Sequence, residues 1–401
     1  DKLKMYPISD EEHRLYVLDQ IINDRGVLVD SELAEQAVKL NSIQTAVAVE
    51  QAYMITGLEN PNSVTQLKQW LKEKGVEIES LSKKSVKSLA DETDGDVSEM
   101  LKLRLLMAKT SVKKYEAVIR SVCSDNRVHG MMRFCGANRT GRWSGNILQP
   151  QNLPQNHLPD LTLARDIVKD GDFEMLDMMF GNVPNVLSEL IRTVLIPKPN
   201  HRFIVADFSA IEARVLAWIA GEQWRIDTFK NGGDIYCASA SKMFKVPVEK
   251  HGVNGELRQK GKISELACGY GGSVGALKNM GAVEMGVQEN ELQGLINDWR
   301  NANPHIVRFW YEVGNAAMKA IKEKTTVPLG KLVFAYERGI LFIRLPSGRR
   351  LSYIKPRIGT NRFGGDSITY MGINSAKKRD RLETFGGQLT ENFVPGTGRD
   401  L

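Results

Sequence analysis

The chain of 401 residues has little cysteine and no long apolar run. Its four cysteines form no Cys-x-x-Cys pair, which argues against a zinc site or a disulfide framework and is typical of a reducing compartment. The first residues lack the apolar core of a signal peptide, and no apolar run is long enough to span a bilayer. We therefore expect a cytoplasmic protein that does not enter a membrane.

Neither sign of charge dominates the composition. Lys and Arg number 54 against 48 Asp and Glu, so the formal net charge is +6, and the pI is about 8.9. A mildly basic chain is compatible with a polyanionic partner but does not require one. With 42% hydrophobic and 25% charged residues, the composition is that of a globular protein, and the length indicates two or three subdomains.

A strand-turn-helix pattern occupies the centre of the sequence. Residues 203–206 form a short apolar run with the length of a buried strand, and Asp207 follows it directly. Ser209 and Glu212 have the spacing of a capping box, which predicts a helix that begins at Ser209. A carboxylate at the exit of a buried strand is rigidly held and faces a cleft, as a Mg²⁺ ligand requires. The alternative is that these polar residues only cap the helix.

A second pattern lies further along the chain. Four residues recur every four positions and therefore share one face of a helix: Arg258, Lys262, Leu266 and Tyr270. The two cations can bind phosphates, and the aromatic ring can stack near a base. The pattern suits a nucleotide, although a basic surface stripe with Tyr270 in the core would have the same spacing.

A strongly basic helix is predicted over residues 99–120. Six cations stand against one Glu between residues 101 and 120, namely Lys102, Arg104, Lys109, Lys113, Lys114 and Arg120. Such a helix would suit a phosphate backbone, and a solvated surface face is the alternative. Residues 126–158 then form a long stretch rich in Gly, Asn, Arg and Gln, which is often functional in a compact protein.

Several segments together resemble the family A DNA polymerases, the group of the bacterial DNA polymerase I. The sequence DFSAIEAR at residues 207–214 resembles motif A of that family, and residues 258–271 resemble motif B. TGR at residues 140–142, followed by QNLP at residues 151–154, resembles the TGR and LQNIP stretch, and DIY at residues 234–236 resembles the D-I-H segment. The sequence is most similar to the polymerases of phages and prophages.

The resemblance implies an α+β fold of the right-hand polymerase type, largely helical and with an antiparallel palm sheet. The implied segments are a helical lead-in or palm edge over 1–58, a thumb over 59–125, a first part of the palm over 126–221, fingers over 222–327, and a β-hairpin region with a return to an incomplete palm over 328–401. The sequence itself is strand-like from residue 328 to 358, with turns at 329–331 and 346–348. Residues 374–394 are predicted to be helical.

The resemblance also implies template-directed DNA synthesis from deoxynucleoside triphosphates with two Mg²⁺ ions. Asp207 would bind the metal and would form the catalytic set with Arg258 and Lys262. The implied nucleotide-binding residues are Ser209, Glu212, Tyr236, Leu266 and Tyr270, among which Glu212 would exclude the ribose 2′-hydroxyl. The implied DNA-binding residues are Arg142, Gln151, Asn152, Lys109, Lys113 and Lys114. The expected partners are primer–template DNA and deoxynucleoside triphosphates, and we expect a monomer without membrane contact.

Several positions depart from the family pattern. Leu266 stands where the family usually has Phe or Tyr, and Tyr236 replaces the His of the D-I-H segment. Pro395 replaces a Gln that touches the primer terminus in the family, and Gly396 and Gly398 follow in a segment that should be helical. Because proline and glycine break helices, the C-terminal end is predicted to be loose or non-native.

The third motif of the family is a His-Asp-Glu hairpin that supplies the second metal-binding carboxylate. None of the six histidines is followed by Asp, and we expect that a proofreading exonuclease domain is missing as well. We therefore expect a polymerase core truncated before that carboxylate, which extends a primer slowly or not at all unless Asp366 or Asp380 is the second ligand. Two alternatives remain: an inactive primer–template-binding fragment, and a single-subunit RNA polymerase, against which Glu212 argues.

Overall fold

In the computed structural model of the chain, the described residues are 7–108, 112–283, 285–361, 364–374 and 376–401. They form two compact units. The first unit comprises Asp1–Gly136 and Trp143–Ile204, and the second comprises Ala137–Arg142 and Val205–Leu401. No helix in the described part of the chain has the length and apolar character needed to cross a membrane.

The first unit is mainly helical. Its α-helices are α1 (Asp10–Arg25), α2 (Ser31–Thr56), α3 (Val64–Glu73), α4 (Lys83–Glu92), α5 (Gly95–Met107), α6 (Lys113–Ser121), α7 (Leu161–Asp170), α8 (Phe173–Phe180) and α9 (Val183–Leu190), with 3₁₀ turns at Pro150–Asn152 and Ile191–Val194. Two short antiparallel pairs accompany them, β1 (Val27–Leu28) with β2 (Arg127–Val128) and β3 (Met132–Arg133) with β4 (Ser144–Gly145). α1 and α2 end at Gly26 and Gly57, where positive φ angles of 63° and 69° suit glycine.

The basic helix predicted over residues 99–120 is wrong as one helix, because α5 ends at Met107 and α6 begins at Lys113. Met100 and Leu101 of α5 are buried in a core shared with α2, α3 and α4. Tyr115 and Val118 of α6 are buried in a second core shared with α7 and α9. The two halves of the basic stretch therefore pack into different cores, which accounts for the break. Lys109 lies outside the described residues.

The second unit combines helices with one larger sheet. Its α-helices are α10 (Ile211–Ala220), α11 (Gln223–Lys230), α12 (Ile235–Phe244), α13 (Leu257–Cys268), α14 (Val274–Asn279), α15 (Leu292–Ala302), α16 (Pro304–Glu323) and α17 (Gly386–Asp400), with a 3₁₀ turn at Glu289–Glu291. Its strands are β5 (Thr326–Leu329), β6 (Leu332–Glu337), β7 (Ile340–Arg344), β8 (Arg350–Thr360), β9 (Asp366–Ile373) and β10 (Arg379–Thr384). One buried core joins α10, α13, α15, α16 and α17 to the sheet.

The sheet is an antiparallel meander in chain order from β5 to β10. The strand-like pattern from residue 328 is confirmed, and Gly330 and Gly348 supply positive φ angles of 55° and 90° at the predicted turns. The helix predicted over residues 374–394 is wrong in its first part, since β10 precedes α17. β10 is an edge strand, and half of its residues are exposed. An exposed edge strand needs few apolar residues, so its sequence resembles that of a surface helix.

The buried strand predicted over residues 203–206 is also wrong. Residues 201–208 have no regular secondary structure, and Ile204 and Val205 are 87% and 90% exposed. A strand requires partners for its backbone N–H and C=O groups, and none of the described residues pairs with this segment. Apolar composition alone therefore did not decide the local structure.

The prediction of a loose C-terminal end is wrong as well. α17 continues through Pro395, Gly396 and Gly398, and most residues of its second half are buried. A Cβ at Gly396 would lie 3.4 Å from the carbonyl oxygen of Thr140, and one at Gly398 would lie 3.3 Å from a side-chain carbon of Ile211. The glycines let the helix pack closely against its neighbours, and this packing outweighs their low helix propensity.

Gly386 makes the closest such approach, since a Cβ there would lie 1.8 Å from the carbonyl oxygen of Trp310. We expect Gly386→Ala to lower the free energy of unfolding by about 1–3 kcal/mol, because α16 and α17 must move apart. Gly294→Ala in α15 is the matched control: its Cβ would meet nothing within 4 Å, and it should raise stability by about 0.5–1 kcal/mol. Urea denaturation measures both, and equal midpoints would contradict the close packing.

Candidate active site

The residues of the two central sequence patterns meet in one pocket of the second unit. The pocket has a volume of about 470 Å³ and is called the Asp207 pocket below. Its polar, aromatic and exposed apolar lining includes Asp207, Glu212, Tyr236, Leu266, Tyr270 and Glu391. The sequence patterns had pointed to all of these residues except Glu391 as catalytic or nucleotide-binding candidates.

Glu212 lies where three segments meet in the pocket. Its Oε1 accepts a hydrogen bond from Nη1 of Arg142 at 2.8 Å, and its Oε2 accepts one from the Tyr270 hydroxyl at 3.0 Å. The donors lie 70 and 58 positions away along the chain. The capping box is therefore wrong: Ser209 makes no capping bond, and Ala210, with a left-handed φ of 51°, is the N-cap. Glu212 bonds to distant side chains instead.

Arg139 fixes the segment that carries Arg142 to the sheet. Its guanidinium carbon lies 4.4 Å from the ring centroid of Tyr370 and 5.7 Å from that of Tyr353. Gly372 leaves room for it, because a Cβ there would lie 2.5 Å from Nη2 of Arg139. Cation–π contacts contribute about 0.5–2 kcal/mol each. The sequence patterns did not single out Arg139, and no local signal points to its partners, which come from two other strands.

Burial governs the protonation of the pocket. It raises the pKa of the Tyr270 hydroxyl, and the adjacent Glu212 carboxylate raises it further, so Tyr270 stays protonated and donates to Glu212. Desolvation also raises the pKa of Glu391, and the charge of Glu212 adds to this effect. Sequence reasoning missed Glu391, which follows no spacing rule with respect to Glu212.

Arg258 is held by Asp234 at the start of α12. Its Nε and Nη2 donate to Oδ2 of Asp234 at 2.9 and 2.7 Å, and its guanidinium lies 5.2 Å from the ring centroid of Tyr236. Oδ1 of Asp234 accepts from the backbone N–H groups of Tyr236 and Cys237. Burial would raise the pKa of Asp234, but the hydrogen bonds from Arg258 and the α12 backbone outweigh it and hold the pKa below its usual range. The pair is therefore ionic.

The helical stripe predicted from Arg258 to Tyr270 is present for its first three members. Arg258 and Lys262 are half-buried on α13, and Leu266 is 48% exposed. α13 ends at Cys268, so Tyr270 follows the helix. Leu266 and Tyr270 line the Asp207 pocket, whereas Arg258 and Lys262 lie one or two helical turns before Leu266 and outside that lining.

Asp207 is exposed on the irregular segment before α10. In the part of the chain that the structure describes, no three His, Cys, Asp or Glu side chains are placed to share a metal ion. Asp366 and Asp380 do not line the pocket: Asp366 accepts from Lys322 at 2.6 Å, and Asp380 accepts from Asn374 at 3.3 Å. Asp207 fits one ligand of a Mg²⁺ ion, a metal that commonly takes one or two carboxylates and completes its shell with phosphate and water.

The residues predicted to bind DNA divide between the two units. Arg142 belongs to the second unit, and the described candidates of the first unit are Lys113, Lys114, Gln151 and Asn152. Within the first unit, Lys114 and Asn152 line one cavity of about 420 Å³ together with Lys83 and Arg104. Three cations around a cavity favour an anionic partner.

Replacing Glu391 tests the electrostatics of the pocket. The pKa of Glu391 is raised on folding, so its contribution to stability is present below the unfolded-state pKa and is lost as pH rises through the folded-state pKa. We expect Glu391→Gln, which never ionises, to be more stable than the parent chain at pH 7.5, and the difference should close as pH falls to about 4.

Urea midpoints measured across this pH range provide the comparison. Glu383→Gln, at an exposed position of β10, is the matched control and should show no such pH-dependent gain. A Glu391→Gln advantage that grows toward low pH would contradict the assignment.

The chain is similar to known proteins over most of its length. A family model described as DNA polymerase family A matches residues 31–332. The DNA polymerase of Bacillus phage SP02 is 51% identical over 403 residues, which cover 100% of this chain and 62% of that protein. The DNA polymerase I of Rhizobium leguminosarum is 43% identical over 94 residues, which cover 23% of this chain and 9% of that protein. The chain thus spans less than two thirds of the length of these relatives.

A solved structure shares the fold. The POL domain of Pol1 from M. smegmatis, in complex with DNA primer-template and dNTP, matches with a TM-score of 0.57 at 19% identity, covering 94% of this chain and 54% of that one. The match confirms the predicted α+β polymerase fold, while the five-segment division into lead-in, thumb, palm, fingers and hairpin region stays a prediction. Because the family model matches more than half of the chain, the chain belongs to DNA polymerase family A.

Proposed function

We propose that this chain is the core of a template-directed DNA polymerase, which transfers nucleotides from deoxynucleoside triphosphates to a primer. The Asp207 pocket carries the proposal, because it gathers an exposed acid, a held glutamate, two tyrosines and Leu266 from separate segments. Family membership and the DNA-bound structural relative support the same reaction.

The proposed site for the triphosphate is α13. Arg258 offers a bidentate fork and Lys262 a point charge, which together suit phosphate oxygens. The fork of Arg258 is bonded to Asp234 in this structure, so a triphosphate would have to share or replace that bond. Tyr236, Leu266 and Tyr270 supply apolar surface for the sugar and base, and Ser209 lies just before α10.

Glu212 is the proposed selector for deoxyribose. A carboxylate can exclude a 2′-hydroxyl only if it does not move aside, and two hydrogen bonds hold this one. Arg142 and Tyr270 thereby act on selection through Glu212. Tyr270, whose phenol is largely buried, would also lie beside the base pair that forms.

Asp207 is the proposed ligand for Mg²⁺, with phosphate oxygens completing the shell. When bound, two such ions lower the pKa of the primer 3′-hydroxyl and offset the charge of the leaving pyrophosphate. The pocket lining also includes Glu391 and Glu212, and Glu212 is engaged by Arg142 and Tyr270. Because no three acids among the described residues are placed to share a metal ion, we infer that a second acidic ligand is needed for rapid extension.

The proposed DNA contacts are made by Arg142, Gln151, Asn152, Lys113 and Lys114. Lysines that bind backbone phosphates release counterions, so DNA affinity should fall steeply as salt rises. Arg and amide side chains in the minor groove test the shape of a base pair more than its identity, since that groove's code is degenerate.

Template-directed selection can be tested without the chemical step. A primer that ends in a dideoxynucleotide cannot be extended, so the lifetime of the protein–DNA complex reports nucleotide binding alone. With Mg²⁺ present, we expect the dNTP complementary to the template base to lengthen that lifetime about tenfold or more. The other three dNTPs should have little effect.

Arg258→Ala should abolish the effect of the complementary dNTP but leave DNA affinity within about twofold, because the lost fork serves the triphosphate. Arg308→Ala, an exposed cation of α16, is the matched control and should behave as the parent chain. Equal lifetimes with all four dNTPs would contradict template-directed selection and would indicate a fragment that only binds DNA.

A further inference from the structure

A buried ion pair joins four helices of the second unit. Arg225 of α11 is 0% exposed, and Glu265 of α13 is 8% exposed. Nη1 of Arg225 donates to Oε1 of Glu265 at 2.8 Å, and Nη2 donates to Oε2. Oε1 also accepts from Ser239 of α12 at 2.8 Å and from Trp299 of α15 at 2.9 Å. The carboxylate therefore has donors from three helices, α11, α12 and α15.

Such a pair is an inefficient source of stability. Burying the two charges costs several kcal/mol per ion, and apolar replacements of buried pairs are often neutral or stabilising. Nε of Arg225 is buried without a hydrogen-bond partner among the described residues, which adds to the cost. A buried pair does fix the relative orientation of the two helices that carry it, since an unpaired charge in the interior would be strongly unfavourable.

The pair fixes the rotation of α13 about its own axis. One turn before Glu265, a Cβ at Gly261 would lie 2.3 Å from the carbonyl oxygen of Tyr236, so α13 touches the α12 backbone there. Turning α13 would break this contact and separate the charges. Lys262 and Leu266 each follow one of these buried positions by one residue, about 100° around the helix. Their direction is therefore set by Gly261 and Glu265.

We propose that Arg225 and Glu265 are positioning residues for the binding of a nucleoside triphosphate, because their ion pair sets the direction in which Lys262 and Leu266 face. Arg225 and Glu265 both line the Asp207 pocket, but each is buried and bonded to the other. They therefore act on the triphosphate site through α13. The inference rests on the proposed function and adds to it the part of the fold that orients the triphosphate site.

The test compares an apolar replacement with conservative single variants. Arg225→Met combined with Glu265→Leu removes both charges at similar volume. The gain from removing two buried charges is offset because Ser239 and Trp299 lose their acceptor, so its unfolding temperature should stay within a few degrees of that of the parent chain. We nevertheless expect it to bind the complementary dNTP about tenfold more weakly in the dideoxy-terminated complex, with DNA affinity within about twofold. Glu265→Gln should also weaken dNTP binding, and Arg225→Lys, which keeps the charge but not the fork, should lose less.

Asp30→Asn is the matched control for breaking a buried pair, because Asp30 is bonded to Arg165 in the first unit with side chains 10% and 22% exposed. It should lower the unfolding temperature without changing dNTP affinity. Parental dNTP affinity in the apolar double variant would overturn the positioning role, as would losses that follow the unfolding temperature in every variant, Asp30→Asn included. A parent chain that binds no complementary dNTP would overturn the proposed function, and the inference with it.

Discussion

The two hydrogen bonds to the Glu212 carboxylate are the interaction on which the Asp207 pocket depends. They connect α10 to Arg142, at the end of the short segment that joins the second unit, and to Tyr270, which follows α13. The Tyr270 phenol is largely buried, so removing its acceptor would leave a polar group unpaired at a cost of about 1–3 kcal/mol. The same bonds that satisfy these groups connect Glu212 and Tyr270 in one pocket.

The sequence predicted those parts of the structure that local chemistry determines. The turns of the sheet at residues 329–331 and 346–348 are one example, since Gly330 and Gly348 supply the positive φ angles there. The resemblance to family A polymerases likewise pointed to Asp207, Glu212, Leu266 and Tyr270, which line one pocket. The failures concern partners that lie far away in sequence. An apolar run does not form a strand without a neighbouring strand to pair with. α17 tolerates Pro395 and its glycines because neighbouring elements bury them.

Charge pairing shows the same division. The pattern predicted that Arg258, Lys262 and Leu266 share a helix face. It could not predict that Asp234 engages Arg258 or that Arg225 engages Glu265. One signal was present: Glu265 is an acid among Ile263, Ala267 and Cys268, which are all buried. An acid on a buried helix face requires a partner, although its identity depends on the packing of α11 against α13. α13 therefore has one face whose candidate functional residues the sequence pattern indicated, and a second, buried face that orients the first.

The most direct test of this account is the ratio of dATP to ATP affinity for the complex with dideoxy-terminated primer and a template thymine. Apolar surfaces reject an added hydroxyl poorly, so strong discrimination requires a group that is held in place. The account predicts a preference for dATP of about tenfold or more in the parent chain, which Glu212→Ala should largely remove and Glu212→Gln, at similar volume, should largely keep. An unchanged preference in Glu212→Ala would contradict it and leave Glu212 with a structural role alone.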